Sequence, residues 1–184
     1  HSPLGLTLWQ TVLTVLVLAP AVLLRRRRRM RLDRAHLVFF LGLGILGALL
    51  PTVFFYIALE GLSAGVAAIT VASVPMLTLI VASGLGLDRP RPRRLAGVGL
   101  GFAAVALIAA PDSLPGVDAT LYLGFAMLTA LCYAGEANWI MLRLPPGLDP
   151  VAALFGASLA AVLIALPIAA ATGHVVSPLR PWGP

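Results

Sequence analysis

The sequence of 184 residues predicts an all-α fold, a polytopic bundle of transmembrane helices. Three observations support this fold class: an apolar composition, six long apolar segments, and basic residues concentrated between those segments. Hydrophobic residues make up 60% of the chain, charged residues 11%, and the mean hydropathy is +0.99. A water-soluble fold needs polar residues along the outer face of each helix, and whole stretches here have none. The composition therefore excludes an ordinary soluble domain and indicates a lipid environment.

Six apolar segments are the predicted spans. A helix rises about 1.5 Å per residue, so roughly 20 residues cross about 30 Å of hydrocarbon. Five segments reach that length, whereas the fourth has 16 residues and is short for a crossing. In chain order the segments are residues 4–24, 37–59, 62–87, 95–110, 121–142 and 151–172.

The arginines decide whether the fourth segment crosses. All 13 basic residues are arginine, and seven of them lie within residues 25–34. If all six segments cross, the loops at residues 25–36, 88–94 and 143–149 share one side and hold twelve of the 13 arginines. Because short cytoplasmic loops carry an excess of basic residues, we predict six crossings with these loops in the cytoplasm. The topology-determining residues are Arg25, Arg26, Arg27, Arg28, Arg29, Arg89, Arg91, Arg93 and Arg94.

The first and sixth segments share a pattern at a constant offset of 147 residues, which places Pro3 and Pro20 opposite Pro150 and Pro167. Helices five crossings apart run in opposite directions, so this match indicates an inverted five-helix repeat. We therefore predict that residues 1–110 form a first repeat that lacks its first helix. Residues 121–184 are predicted to begin a second repeat.

The stretch of residues 56–110 carries a family resemblance. It begins Tyr-Ile-Ala-Leu-Glu-Gly-Leu-Ser-Ala-Gly and continues through a helix with Pro75, Asp-Arg-Pro at residues 88–90, and Leu-Ala-Gly at residues 95–97 before a Gly-rich helix. These motifs resemble the EamA-like family of the drug/metabolite transporter superfamily. The resemblance implies two inverted five-helix repeats. It also implies a secondary-type transporter, an exporter or permease, that moves small organic metabolites or drugs by alternating access.

Glu136 is the most informative polar residue because it lies well inside the fifth segment. A charged group at the centre of a membrane helix costs about 2.5–3.5 kcal/mol, so such residues usually face the bundle interior, a cavity or a partner. Proton coupling is one interpretation. The alternatives are that Glu136 lies shallow enough to reach the cytoplasmic interface, or that it stays protonated and bonds a neighbouring helix. At about 100° per residue, Thr129 and Tyr133 share its face, which is predicted to line the solute path. Asn138 lies about 200° away, on a face predicted to bind a neighbouring helix.

Prolines inside the apolar segments mark candidate kinks. Proline donates no backbone hydrogen bond, so Pro51 is expected to free the carbonyl of Gly47, and Pro75 that of Val71. Such carbonyls can serve a solute, although an ordinary packing kink is the alternative. The helix-kink candidates are Pro20, Pro51, Pro75 and Pro167. The candidates for the substrate path are Glu136, Tyr133, Thr129, Asn138, Gln10, Thr52, Tyr56 and Ser73.

The glycines at residues 42, 44 and 47 match a dinucleotide-binding fingerprint by spacing alone. They lie inside an apolar helix with no βαβ unit, so close helix packing is the predicted role, as it is for Gly97 and Gly101. No cofactor, metal site or nucleic-acid partner is predicted. An intramembrane enzyme is not expected, because its chemistry needs a paired set of residues and no second carboxylate accompanies Glu136 in mid-span.

The expected partners are the lipid bilayer and a small-molecule substrate of unknown identity, with a homodimer left open. A non-transporting scaffold or helper subunit is the main alternative to a transporter. The exclusive use of arginine over lysine indicates a GC-rich genome. We therefore expect a multi-pass protein of a bacterial inner membrane.

Overall fold

A computed structural model describes residues 3–24, 33–89, 91–108 and 120–173. These residues form helices and connecting turns with no strand among them, which confirms the predicted all-α class. The helices are α1 (Pro3–Leu24), α2 (Arg34–Leu43), a π-helix (Gly44–Leu49), α3 (Leu50–Ala58), α4 (Ala64–Ala72), α5 (Val74–Gly84), α6 (Pro92–Ile108), α7 (Thr120–Arg143) and α8 (Pro150–Ala171).

Five helical stretches of the described residues are long and apolar enough to cross a membrane, and they correspond to five of the six predicted segments. They are Leu4–Leu24, Arg34–Ala58, Ala64–Gly84, Thr120–Arg143 and Pro150–Ala171. Helix α6 has 17 residues and rises about 26 Å, so its crossing stays a prediction. Residues Arg25 to Arg29 lie outside the described residues, and the side on which each loop lies also stays a prediction.

The second span changes helix type in its middle, where the π-helix Gly44–Leu49 separates α2 from α3. Pro51 follows the π-helix after Leu50, and it has no N–H to donate to the Gly47 carbonyl, which its ring would crowd in a regular helix. A π-helix widens the turn by one residue, and we attribute its position here to the proline that follows it. Of the four prolines named as kink candidates, Pro51 thus lies next to a stretch of irregular helix.

The first compact unit comprises the described parts of His1–Leu49 and Arg143–Pro184, in which α1, α2 and the π-helix contact α8. A β-carbon added to Gly44 would lie 2.5 Å from the Ala157 carbonyl oxygen, and one added to Gly156 would lie 2.6 Å from the Phe40 ring. These approaches confirm the close packing predicted for Gly44. The buried face of α8 consists of Ala152, Ala153, Gly156, Ala157, Ser158, Ala160, Ala161, Ala165 and Ala169.

Helices α1 and α8 are the two segments related by the 147-residue offset, and they contact each other within this unit. Thr11 and Ser158, which match under that offset, are both buried. Pro20 and Pro167 also match, and each lies inside an uninterrupted α-helix. The inverted repeat itself stays a prediction.

The second compact unit, Leu50–Leu142, contains α3 to α7. Helix α7 packs on α3, where the rings of Phe54 and Phe125 lie 6.0 Å apart between centroids. At the end of α3, Gly61 leaves room for the ring of Tyr122, which a β-carbon would overlap. A small core forms there from Ala58, Leu62 and Ala126, with Val66, Tyr122 and Phe125 packed against it. Helices α4 and α5 contact α6 in the same unit.

Aspartates precede two of the helices and bind their free backbone amides. Asp33 Oδ1 accepts the His36 N–H at 2.9 Å and lies 2.7 Å from His36 Nδ1. The bonds from the backbone and side chain of His36 hold the pKa of Asp33 below its ordinary value. Asp149 Oδ2 accepts the N–H of Val151 at 3.2 Å and that of Ala152 at 3.4 Å. Such capping fixes where α2 and α8 begin.

Candidate functional site

The hydrogen-bond pattern of the third span is interrupted at Ser73, between α4 and α5, and we call this point the break. Ser73 itself keeps α-helical torsion angles (φ −74°, ψ −11°), and the two helices together form one stretch long enough to cross a membrane. Pro75 lies in the first turn of α5 and cannot donate the hydrogen bond that Val71 would otherwise accept from residue 75. The Ser73 hydroxyl donates to the Thr70 carbonyl at 2.6 Å, while Met76 and Leu77 donate their N–H groups to the Ser73 carbonyl at 3.0 Å. Pro75, one of the predicted kink candidates, therefore lies two residues after this break.

A widely open cavity of about 660 Å³ lies against this break, within the second compact unit. Its volume falls in the range of about 300–1,000 Å³ that is typical of small-molecule sites. The broken span, α6 and α7 all contribute to its wall. The lining residues are Val71, Ala72, Val74, Pro75, Gly97, Val98, Gly101, Phe102 and Tyr133.

The glycines of α6 differ from Gly44 in their surroundings. A β-carbon added to Gly97, Gly99 or Gly101 would have no described atom within 4 Å. The close packing predicted for Gly97 and Gly101 is therefore wrong for the described residues. Both line the cavity instead, because no described helix approaches this part of α6 closely enough to touch a β-carbon.

Helices α3 and α7 bring three of the predicted residues into one region. Tyr133 lines the cavity, and Glu136 and Tyr56 lie within electrostatic range of it. Glu136 is partly buried in the span, and no described cation lies at ion-pair distance from it. Tyr133 and Glu136 are three residues apart and thus on one face of α7, as predicted. Their roles in a solute path stay predictions.

Two further candidates on α7 bind neighbouring helices. Thr129 has no exposed surface, and its hydroxyl donates to the carbonyl of Phe125 at 3.1 Å and to that of Pro51 at 3.3 Å. Asn138 is 2% exposed, and its amide nitrogen donates to the carbonyl of Ala134 at 2.8 Å and to that of Thr78 on α5 at 3.2 Å. The bond to Thr78 agrees with the helix-binding role predicted for that face of α7.

The orientation of the Asn138 side chain follows from these bonds. Both neighbours of its nitrogen are carbonyl oxygens, so exchanging the amide oxygen and nitrogen would place three acceptors together. The amide oxygen therefore points elsewhere, and it has no hydrogen-bond partner among the described residues. A buried acceptor without a donor is costly, which makes the neighbourhood of Asn138 sensitive to substitution.

Gln10 belongs to the first compact unit. It lines a groove of about 380 Å³ with Leu13, Thr14, Val17, Leu18 and Leu154. The remaining predicted residues belong to the second unit: Thr52 is partly buried on α3, and Ser73 forms the break described above. Over the described ranges, no group of three or more His, Cys, Asp or Glu side chains could hold a metal ion.

Sequence reasoning missed the α6 wall of the cavity, namely Gly97, Val98, Gly101 and Phe102. A small-xxx-small pattern is the usual sign of close helix packing, and it gives no indication of whether a partner helix is present. A signal did exist, since three glycines in five residues weaken a helix and call for a reason other than helix stability.

Comparison with known proteins identifies one family. The model of the EamA-like transporter family matches residues 1–110, which includes α1 to α6 and the Tyr56–Ala110 stretch that carries the resemblance. No curated protein and no solved structure matches the chain.

Proposed function

Because the chain belongs to the EamA-like transporter family, whose members are membrane transporters, we propose that it carries small organic solutes across the membrane as part of a secondary transporter. The observation that supports this proposal best is the 660 Å³ cavity at the break in the third span. Discontinuous membrane helices typically form the solute sites of secondary transporters, which work by alternating access. The multi-pass helical fold agrees with such a role.

The break at Ser73 is the feature that supports the cavity as a solute site. Backbone without regular helical bonds is tolerated at membrane depth only where protein or a cavity surrounds it. Here the break at Ser73 lies between Ala72 and Val74, and both residues line the cavity. The freed backbone is thus next to the space where a solute would bind, and a change in the angle between α4 and α5 would change that space.

Glu136 is the candidate for proton coupling within this proposal. Its carboxyl group lies inside a membrane span, without a described cation to balance it. A carboxyl group in that position can bind and release a proton as its surroundings alternate between the two sides of the membrane. Its proximity to Tyr133, in the cavity wall, would link such a proton to solute binding.

The test is solute uptake by the full-length polypeptide that contains these residues, purified and reconstituted in liposomes. The panel comprises neutral, cationic and anionic organic solutes, each measured with and without an imposed proton gradient. Glu136→Gln is the test variant, and Glu60→Gln is its matched control because Glu60 is exposed at the end of a helix. We expect gradient-driven uptake of at least one solute class, which Glu136→Gln abolishes and Glu60→Gln preserves.

Three outcomes would contradict parts of the proposal. Uptake with the same pH dependence in Glu136→Gln would remove proton coupling and leave transport in place. If no solute in the panel moves, while the protein is folded and inserted, a non-transporting scaffold or helper subunit becomes the better function. Conversion of a solute to a product would instead identify an enzyme.

A further inference from the structure

The side chains around the 660 Å³ cavity define the chemistry of its occupant. None of the nine lining residues is charged, and Tyr133 supplies the only polar side chain among them. A charged solute that exchanges water for contact with this wall would gain no opposite charge from it, which is unfavourable. The lining therefore fits a neutral, mainly apolar organic molecule with one group that hydrogen-bonds to the Tyr133 hydroxyl.

The α6 wall of the cavity has a defined centre. At about 100° per residue, Gly97, Val98, Gly101 and Phe102 occupy an arc of about 140° on the helix. Gly101 lies about 30° from the middle of that arc. Gly99 lies about 130° from the middle, outside the arc, and it does not line the cavity.

We propose that Gly101, assisted by Gly97, is the residue that determines which solutes fit: its missing side chain leaves room for a neutral, apolar body such as an aromatic ring. A β-carbon at either glycine would enter open space rather than meet a described atom. The space is therefore available to a solute rather than taken up by helix packing. This inference rests on the proposed function, because it treats the cavity as part of the solute path.

Two other occupants of this space are alternatives. A lipid chain would reach the cavity from the bilayer, and it would need no hydrogen bond from Tyr133. A helix of a second copy would cover Val98 and Phe102 and leave no room for a solute. The solute is favoured because the wall combines apolar and aromatic side chains with one hydroxyl, which is the usual make-up of a small-molecule site.

The experiment uses benzophenone, a neutral aromatic ketone that attaches covalently to nearby C–H groups on irradiation and accepts one hydrogen bond. The full-length polypeptide in detergent is irradiated with the probe, and the modified residues are mapped by mass spectrometry. Three proteins are compared: the unaltered protein, Gly101→Leu and Gly99→Leu. Leucine is a better helix former than glycine, so neither substitution weakens α6 itself.

We expect adducts on Phe102 and Tyr133 in the unaltered protein. In Gly101→Leu the apparent affinity should fall about tenfold, equivalent to about 1.4 kcal/mol, because the leucine side chain fills the space. Gly99→Leu should label like the unaltered protein, since residue 99 lies outside the cavity wall. Tyr133→Phe should weaken labelling at Phe102 about fivefold, the effect of one lost hydrogen bond.

Equal labelling of Gly101→Leu and the unaltered protein would overturn the inference. Labelling that is unaffected by Tyr133→Phe and spread over the exposed Leu100 and Leu107 would indicate access from lipid and also overturn it. If no residue is labelled and native mass spectrometry shows a dimer, the α6 wall belongs to a contact with a second copy, and the inference is overturned. The liposome assay tests the proposed function independently of this inference. If the protein transports a solute and Gly101→Leu transports it equally well, this inference is refuted and the proposed function stands.

Discussion

The carbonyl oxygen of Ala157 lies 2.5 Å from the position that a β-carbon on Gly44 would occupy. The obstacle is backbone rather than the end of a flexible side chain, so it cannot turn aside. Because lipid tails are as apolar as the helices, such close backbone approach replaces the hydrophobic effect as the source of helix association. Gly44 therefore sets the distance between the π-helix and α8.

Gly44→Ala should lower the stability of the protein by about 1–3 kcal/mol, because the added methyl group forces the two helices apart. Gly99→Ala is the matched control. It adds the same group where no described atom lies within 4 Å, and it should raise stability by up to about 1 kcal/mol through helix propensity alone. Thermal unfolding in detergent, followed by circular dichroism, measures both. Two variants with the same midpoint would show that α8 does not press on Gly44.

Asn138→Asp should destabilise the protein more than Asn138→Leu does. An ionised carboxylate would turn an acceptor toward the carbonyls of Ala134 and Thr78, which now accept from the amide nitrogen. Leucine removes the amide but also removes an oxygen that has no described partner. The difference should be at least about 1–3 kcal/mol, the cost of an unsatisfied buried polar group. Unfolding midpoints at neutral pH give the order of the two variants, and the reverse order would refute the hydrogen bond to α5.

The stability of the start of α2 should depend on pH through the ionisation of Asp33. Its pKa is lower in the folded protein than the ordinary value of 3.8, because the carboxylate accepts hydrogen bonds from His36. A lowered folded pKa contributes stability that is fully present above the unfolded pKa and is lost as the pH falls through the folded pKa. Stability should therefore fall as the pH drops below about 4, and less steeply in Asp33→Asn, which keeps the cap without the titration. Thermal midpoints across that range test this, and parallel pH profiles would contradict it.

Cysteine labelling tests the predicted topology. Single cysteines replace Ser63, Arg91, Ser113 and Gly147 in a Cys132→Ser background, and intact cells are treated with a membrane-impermeant thiol reagent. Six crossings with cytoplasmic arginine loops predict labelling at positions 63 and 113 but not at 91 and 147. Labelling at 91 would place that loop outside and remove the topological basis of the inverted repeat.

The spans could be predicted from sequence because lipid imposes a length and a composition on every crossing. The predicted segment at residues 121–142 and the observed helix Thr120–Arg143 differ by one residue at each end. The helix type inside a span could not be predicted from composition, because the π-helix Gly44–Leu49 is as apolar as the α-helices beside it. Only Pro51 indicated that this span was irregular.

The residues that α5 and α7 contribute to the candidate site could be predicted from sequence, whereas those of α6 could not. Tyr133 can be identified because its hydroxyl is a polar group in an apolar span, and Pro75 because a proline removes a backbone hydrogen bond of the helix. Gly97 and Gly101 were assigned to packing because glycine spacing is the same whether a helix or an open space lies opposite. The distinction depends on what surrounds α6, which local sequence does not encode.

The alanine-rich face of α8 has a consequence for how this protein tolerates mutation. Alanine loses no side-chain rotamer freedom when it is buried, so α8 packs without that entropic cost. Since the side chains on this face are already minimal, there is almost nothing to truncate, and cavity-forming substitutions are nearly absent from the mutations available to the face. Substitutions with larger side chains are the main ones that can harm this face, so sequence change at its buried positions should be restricted to exchanges among alanine, glycine and serine.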